Sequence, residues 1–169
     1  QNKVDQKIIQ AQGFKDVRVL TVTTFQGVKL TKTGGQHGTD EMYRNAELKA
    51  GLGEAMGMVF EAAGHETVYI AGDTIWRPEV DQAIQTFKPD VIVLNTGNAL
   101  MDGYKESIIM GKEDTYHATQ KAPNAKIVAV HMDAINHMSV TRAQLAEYVE
   151  DKGIQNKVLI PIDGETLSF

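Results

Sequence analysis

The rhythm of apolar and polar positions changes partway along the chain. Residues 5–12 carry Ile8 and Ile9 and meet Gly13 where a helix commonly stops, which predicts a short first helix. Residues 17–22 then read as a strand. Residues 27–31 alternate apolar with polar, the mark of a strand with one wet face, and the two segments are close enough to form a hairpin. A Gly-rich polar stretch over 33–57 has weak periodicity and reads as a long loop with a helical turn around Glu47. Residues 58–61 and 68–71 make a second hairpin turning at Gly64-His65.

From Val68 onward strand and helix alternate. Pro78 suits the first turn of a helix, and Val80, Ala83, Ile84 and Phe87 recur at helical spacing until Lys88-Pro89 ends it. Residues 91–94 are continuously apolar, as expected of a strand covered on both faces. A poorly patterned stretch over 101–109 leads to a helix near 112–121 and a buried strand over 126–130. Thr141 and Gln144 form a capping box, Leu145 and Val149 supply an apolar face, and Gly153 ends that helix. Residues 158–160 close the series, with 166–169 expected to pair beside them. Hairpins followed by alternating β and α predict a layered α/β fold, taken as one domain over 1–169.

Composition narrows the function. The chain is 42% apolar and 23% charged, as in ordinary globular proteins, and its net charge of −5 argues against a non-specific nucleic-acid binder. There is no cysteine, so disulfides, thiolate ligands and a cysteine nucleophile are excluded. Any metal must be held by His, Asp, Glu or carbonyl oxygen, which suits zinc, manganese or iron. No apolar run approaches the ~20 residues of a membrane span, and a cytoplasmic location is the expectation. Neither a phosphate-binding loop followed by Lys, nor a GxSxG elbow, nor GxGxxG after a strand occurs.

Ligands of open α/β sheets bind beyond the carboxyl ends of the strands. Those ends deliver Asp73 after Gly72, Asn95 after Leu94, His131 after Val130 and Asp163 after Pro161-Ile162. Asp73 and His131 are good metal ligands, although an Asp after a Gly also serves as a turn former or helix cap. His131, at the end of an apolar strand, needs a partner to offset its desolvation. His37 lies among glycines in Gly34-Gly35-Gln36-His37-Gly38-Thr39, where the backbone can turn sharply and approach another group. An exposed loop histidine is the plainer reading there. His137 is open to three roles: second ligand, acid–base group or surface residue. His65 and His117 are expected on the surface.

Three blocks resemble the metallo-β-lactamase superfamily. They are Gly34-Gly35-Gln36-His37-Gly38-Thr39, Tyr69-Ile70-Ala71-Gly72-Asp73-Thr74, and the stretch from Val128 through His131 to His137. The nearest branch is that of lactonase-like metal-dependent hydrolases, similar to ascorbate-phosphate lactonase. The resemblance implies the C-terminal part of an αββα sandwich with one or two metal ions at its edge. It implies His37 as a ligand of the first metal, Asp73 as the bridging ligand and His131 as a ligand of the second, with His137 as the alternative. Metal-bound hydroxide would attack an ester, lactone, amide or phosphodiester of a small-molecule substrate. Tyr43 and Asn95 are candidate substrate contacts, and Asp73 and His137 candidate catalytic groups.

The family's first ligand block, His-x-His-x-Asp-His, has no counterpart here: His37 is the only histidine in the first 64 positions. The resemblance therefore leaves open a trimmed chain, a remnant, or an assembly in which a second chain or copy supplies the rest. Little or no hydrolase activity is expected of this chain alone. The competing reading is a non-catalytic binding or interaction module that has lost the metal.

Overall fold

The structure, a computed structural model, describes residues 2–133 and 135–169. Gln1 and Ala134, the second inside the His131–His137 block, lie outside the described residues. The elements in order are α1 (Lys3–Ala11), β1 (Val22–Phe25), β2 (Val28–Thr33), a 3₁₀ turn (Met42–Arg44), α2 (Ala46–Leu52), β3 (Gly57–Glu61), β4 (Val68–Ile70), α3 (Pro78–Phe87), β5 (Val91–Asn95), α4 (Lys112–Lys121), β6 (Lys126–Val130), α5 (Arg142–Asp151) and β7 (Val158–Leu159). The strands form one sheet in chain order. Pairing is antiparallel from β1 to β4 and parallel from β4 to β7. Short turns can join only antiparallel neighbours, whereas α3, α4 and the stretch containing α5 are long enough to return the chain for parallel pairing.

The first hairpin differs from the sequence expectation. β1 begins at Val22, where the predicted strand ended, and the turn is Gln26-Gly27, with φ of 48° and 84°. Two successive left-handed residues are what a two-residue hairpin turn demands, and that turn draws the ladder up to Phe25. Residues 16–20 carry no strand, so the predicted strand over 17–22 is displaced towards the turn. At the other end, 166–169 form no strand, because the chain leaves the sheet after the two-residue β7 and turns at Gly164. The 33–57 loop holds more order than a single helical turn. Asn45 caps α2 by accepting from the Glu47 and Leu48 backbone N–H groups.

The helices α3, α4 and α5 all pack on one face of the sheet. Val59, Tyr69, Ile92, Leu94, Ile127, Ala129 and Val158 point there and meet Val80, Ala83 and Ile84 of α3, Ala118 of α4, and Leu145 and Val149 of α5. Side chains alternate along a strand, so Met58, Phe60, Ile70, Val93 and Leu159 belong to the opposite face. Ile70 is 38% exposed there and the others are half-buried, while Val128, in register with Val93 and Leu159, is buried. The continuous apolar run of β5 thus anticipates cover on both faces, and the helices of this chain supply it on one.

Candidate active site at the strand ends

The parallel arrangement places the carboxyl ends of β4, β5 and β6 side by side. After β4, Gly72 takes φ of 73°, and a Cβ there would lie 2.6 Å from the Met56 carbonyl oxygen, so only glycine lets the chain turn and present Asp73. Asp73 caps no helix. Its Oδ1 accepts a hydrogen bond from Nδ2 of Asn95 at the end of β5 (2.7 Å) and lies 3.8 Å from Nε2 of His131 after β6. His131 and Asp133 both have left-handed backbones, φ 63° and 58°, which non-glycine residues adopt at an energetic cost and which cluster at functional sites.

Neighbouring groups hold that strained turn in place. The Thr96 N–H donates to the Val130 carbonyl at 2.9 Å, and a Cβ on Gly97 would collide with the His131 carbonyl and the Met138 sulfur. From the other side the Arg142 backbone N–H donates to Asp133 Oδ2 at 3.1 Å. Its guanidinium binds the Pro161 carbonyl (3.2 Å) and the carboxylates of Asp133 and Asp163.

His37 reaches the same region from the loop after β2. The buried Thr74 hydroxyl accepts the Gln36 N–H at 2.8 Å and donates to the Ile75 carbonyl, while the Ile75 N–H donates to the Gln36 carbonyl at 3.0 Å. The Gly-Asp-Thr turn therefore presents Asp73 and fastens the His37 loop beside it. A Cβ on Gly35 would lie 3.0 Å from the Thr74 side chain, which accounts for a small residue there. The His37 imidazole donates to the Leu52 carbonyl, a hydrogen bond of the kind that orients metal-binding histidines. Burial pushes its pKa below the usual histidine value. Asp73 and the Leu52 carbonyl oppose that shift, and His131 and His137 add to it. Asp73, His131 and His137 thus all act on His37 electrostatically.

The other sequence candidates fall as follows. His137 is exposed in the turn before Met138, a few residues ahead of α5. The Tyr43 hydroxyl accepts the His37 backbone N–H and donates to the Gly53 carbonyl at 2.7 Å, so it supports the His37 loop. The Asn95 amide is bonded to Asp73. Both side chains expected as substrate contacts therefore have partners inside the protein. His65 and His117 are exposed as expected, with the His117 ring edge-on to Trp76 at 4.5 Å. The parts unanticipated from sequence are the Thr74 clasp, the Leu52 carbonyl and the Arg142 clamp. Only Thr74 left a trace there, as the last residue of Gly-Asp-Thr.

The donor types suit a divalent metal, being carboxylate and imidazole with no thiolate. Their placement falls short: among the described residues no group of three or more His, Asp or Glu side chains is arranged to hold an ion.

No protein-family model matches the chain. It is 42% identical over 171 residues to the UPF0173 protein YddR of Bacillus subtilis, a match that takes in 100% of the chain and 65% of that protein. Two crystal structures each cover 100% of this chain and 65% of their own. One is of "a possible metal-dependent hydrolase" from Veillonella parvula (45% identity, TM-score 0.97), the other of isothiocyanate hydrolase from Delia radicum gut bacteria (47%, TM-score 0.95). The metallo-β-lactamase-fold protein YhfI of Bacillus subtilis shares the fold at 13% identity and a TM-score of 0.56, over 86% of the chain and 50% of that protein. The sheet and helices are those of metallo-β-lactamase-fold proteins, as the resemblance implied. The chain spans about 65% of the length of the first three of these relatives. No helix among the described residues is long and apolar enough to cross a membrane.

Proposed function

We propose that the chain is a portion of a metal-dependent hydrolase of the UPF0173 type, carrying part of the metal site at its strand ends. The observation that carries this reading is the approach of Asp73 to His131 at 3.8 Å, with His37 in the same electrostatic field. Asp73, His131 and His37 are the proposed ligands, with His137 as the alternative, and zinc is the first candidate, ahead of manganese or iron. A bound metal would supply Lewis acidity towards the substrate and acidify water. The chain's own contribution is to orient the donors. Asn95 fixes the Asp73 carboxylate, Leu52 fixes the His37 ring, and Thr74 holds the two loops together.

The isothiocyanate hydrolase that is 47% identical supports water addition to an electrophilic carbon. The ester, lactone and amide chemistry of the lactonase-like branch belongs to that same class of attack. Because no three donors converge, the chain alone should have little or no hydrolase activity. That same feature supports the second reading, a binding module without catalysis.

Elemental mass spectrometry after equilibration with zinc tests the proposal. Uptake by the 169-residue chain should be well below that of a closed four-ligand site, and Asp73→Ala or His131→Ala should abolish what there is. Uptake unchanged by both substitutions would remove the proposed ligand set.

A further inference from the structure

A cleft of about 790 Å³ opens beside His37 and His137. Its apolar wall is formed by Leu100, Met101 and Ile108 of the β5–α4 connection and Met138 of the β6–α5 connection, with Asp102, Asn136 and Ser139 at its polar margin. The two connections are joined. Ala99 forms an isolated β-bridge with Met138, the Leu100 N–H donates to the His137 carbonyl at 2.9 Å, and the Ser139 N–H donates to the Gly97 carbonyl at 3.0 Å. Behind this wall Ile108 packs into a small second core with Met42, Ala99 and Ile109, and Leu52, Met101 and Met138 lie against it. Leu52 is the residue whose carbonyl holds the His37 ring, so wall and histidine belong to one packed unit.

The wall is apolar yet open: Leu100 is 39% exposed, and Met101 and Met138 are half-buried. Apolar side chains converging on a few polar groups in a cleft of this size are the usual form of a small-molecule site. Charge narrows the ligand. No Lys or Arg is among the described lining residues, and the one carboxylate there is Asp102. A phosphate-bearing substituent would meet no Lys or Arg on this wall and would face Asp102, whereas an uncharged group meets no such opposition.

We propose that this cleft is the subsite for an uncharged, apolar substituent of the substrate, an aryl or alkyl group. Met101 and Met138 are its specificity-determining contacts. Their unbranched, polarizable thioethers adapt to flat or branched groups. The proposal depends on the hydrolase reading for the direction in which the reacting carbon points, towards His37, but its test is a binding measurement that needs neither metal nor turnover.

The 169-residue chain, labelled with ¹³C at the methionine methyl groups, would be titrated with N-benzylacetamide and, separately, with phenyl phosphate. Saturable shifts of the Met101 and Met138 resonances by N-benzylacetamide are expected. Binding should weaken about tenfold in Met101→Ala and Met138→Ala, the loss of roughly one buried thioether side chain. Met138→Leu should retain binding, and a methionine methyl spectrum of Met138→Ala that is otherwise unchanged would show that its loss of binding is not unfolding. Asp73→Ala should lose metal uptake and keep amide binding, so the ligand set and the subsite can fail separately. Tighter binding of phenyl phosphate, shifts confined to Met56 and Met58, or no saturable shift would overturn the proposal.

Discussion

Asn95 Nδ2 sits 2.7 Å from Asp73 Oδ1, joining the ends of β4 and β5 through side chains 22 positions apart. It gives the carboxylate one fixed partner, at the same oxygen that lies 3.8 Å from His131 Nε2. Asn95→Ala should lower stability by about 1 kcal/mol, the ordinary net value of such a bond at a half-buried position. Urea denaturation at neutral pH measures this, and an unchanged midpoint would show that the bond does not hold in solution.

Thr74 offers a sharper test of how His37 is placed. Thr74→Val keeps the shape but strands the Gln36 N–H, at about 1–3 kcal/mol. Amide hydrogen exchange over 34–38 should quicken in Thr74→Val and stay slow in Thr74→Ser, which retains the hydroxyl. Equal protection in both variants would assign the loop's order to something other than this clasp.

Gly97→Ala should destabilise by about 1–3 kcal/mol through overpacking, since its methyl would enter space held by Met138 and the His131 carbonyl. The His131 ring resonances should move as well, because the turn that carries it must shift. A thermal midpoint equal to the parent's would show that the two connections pack less closely than described.

Asp114 provides a pH signature away from the site. Its carboxylate accepts the Gly111 N–H at 2.9 Å at the start of α4, yet burial raises its pKa above the usual aspartate value, with the Gly111 bond opposing the shift. A carboxyl whose folded pKa is raised stabilises the fold most below its unfolded pKa, and that contribution is lost as pH rises through the folded value. Asp114→Asn does not titrate. Its stability relative to the parent should therefore increase as pH is raised from about 4 towards neutrality. Chemical denaturation at several pH values would show this trend, and a pH-independent difference would contradict it.

The half-open sheet face carrying Phe60, Ile70 and Val93 should make the chain self-associate or bind a hydrophobic dye. Ile70→Lys, at an exposed position on that face, should reduce both. Sedimentation that shows a monomer at all concentrations, together with no dye binding, would mean that the face is protected in solution.

Much of the second half was legible in the sequence because its signals are local. Pro78 at a first turn, the Thr141 and Gln144 capping box, Gly153 and the apolar runs of β5 and β6 act within a few residues of where they stand. The strand-end rule brought Asp73, Asn95 and His131 to one edge, because parallel pairing leaves the strands no other direction. The tertiary structure decided what no local pattern holds. It moved the first hairpin to the Gln26-Gly27 turn, gave Asn95 and Tyr43 partners within the protein, and placed His131 in a left-handed turn braced by Gly97 and Arg142. It also brought Gln36 to Thr74 across 38 positions, and with them His37 towards Asp73. Those outcomes rest on single hydrogen bonds and close contacts between distant segments, whose partners are chosen only when the whole sheet has closed around them.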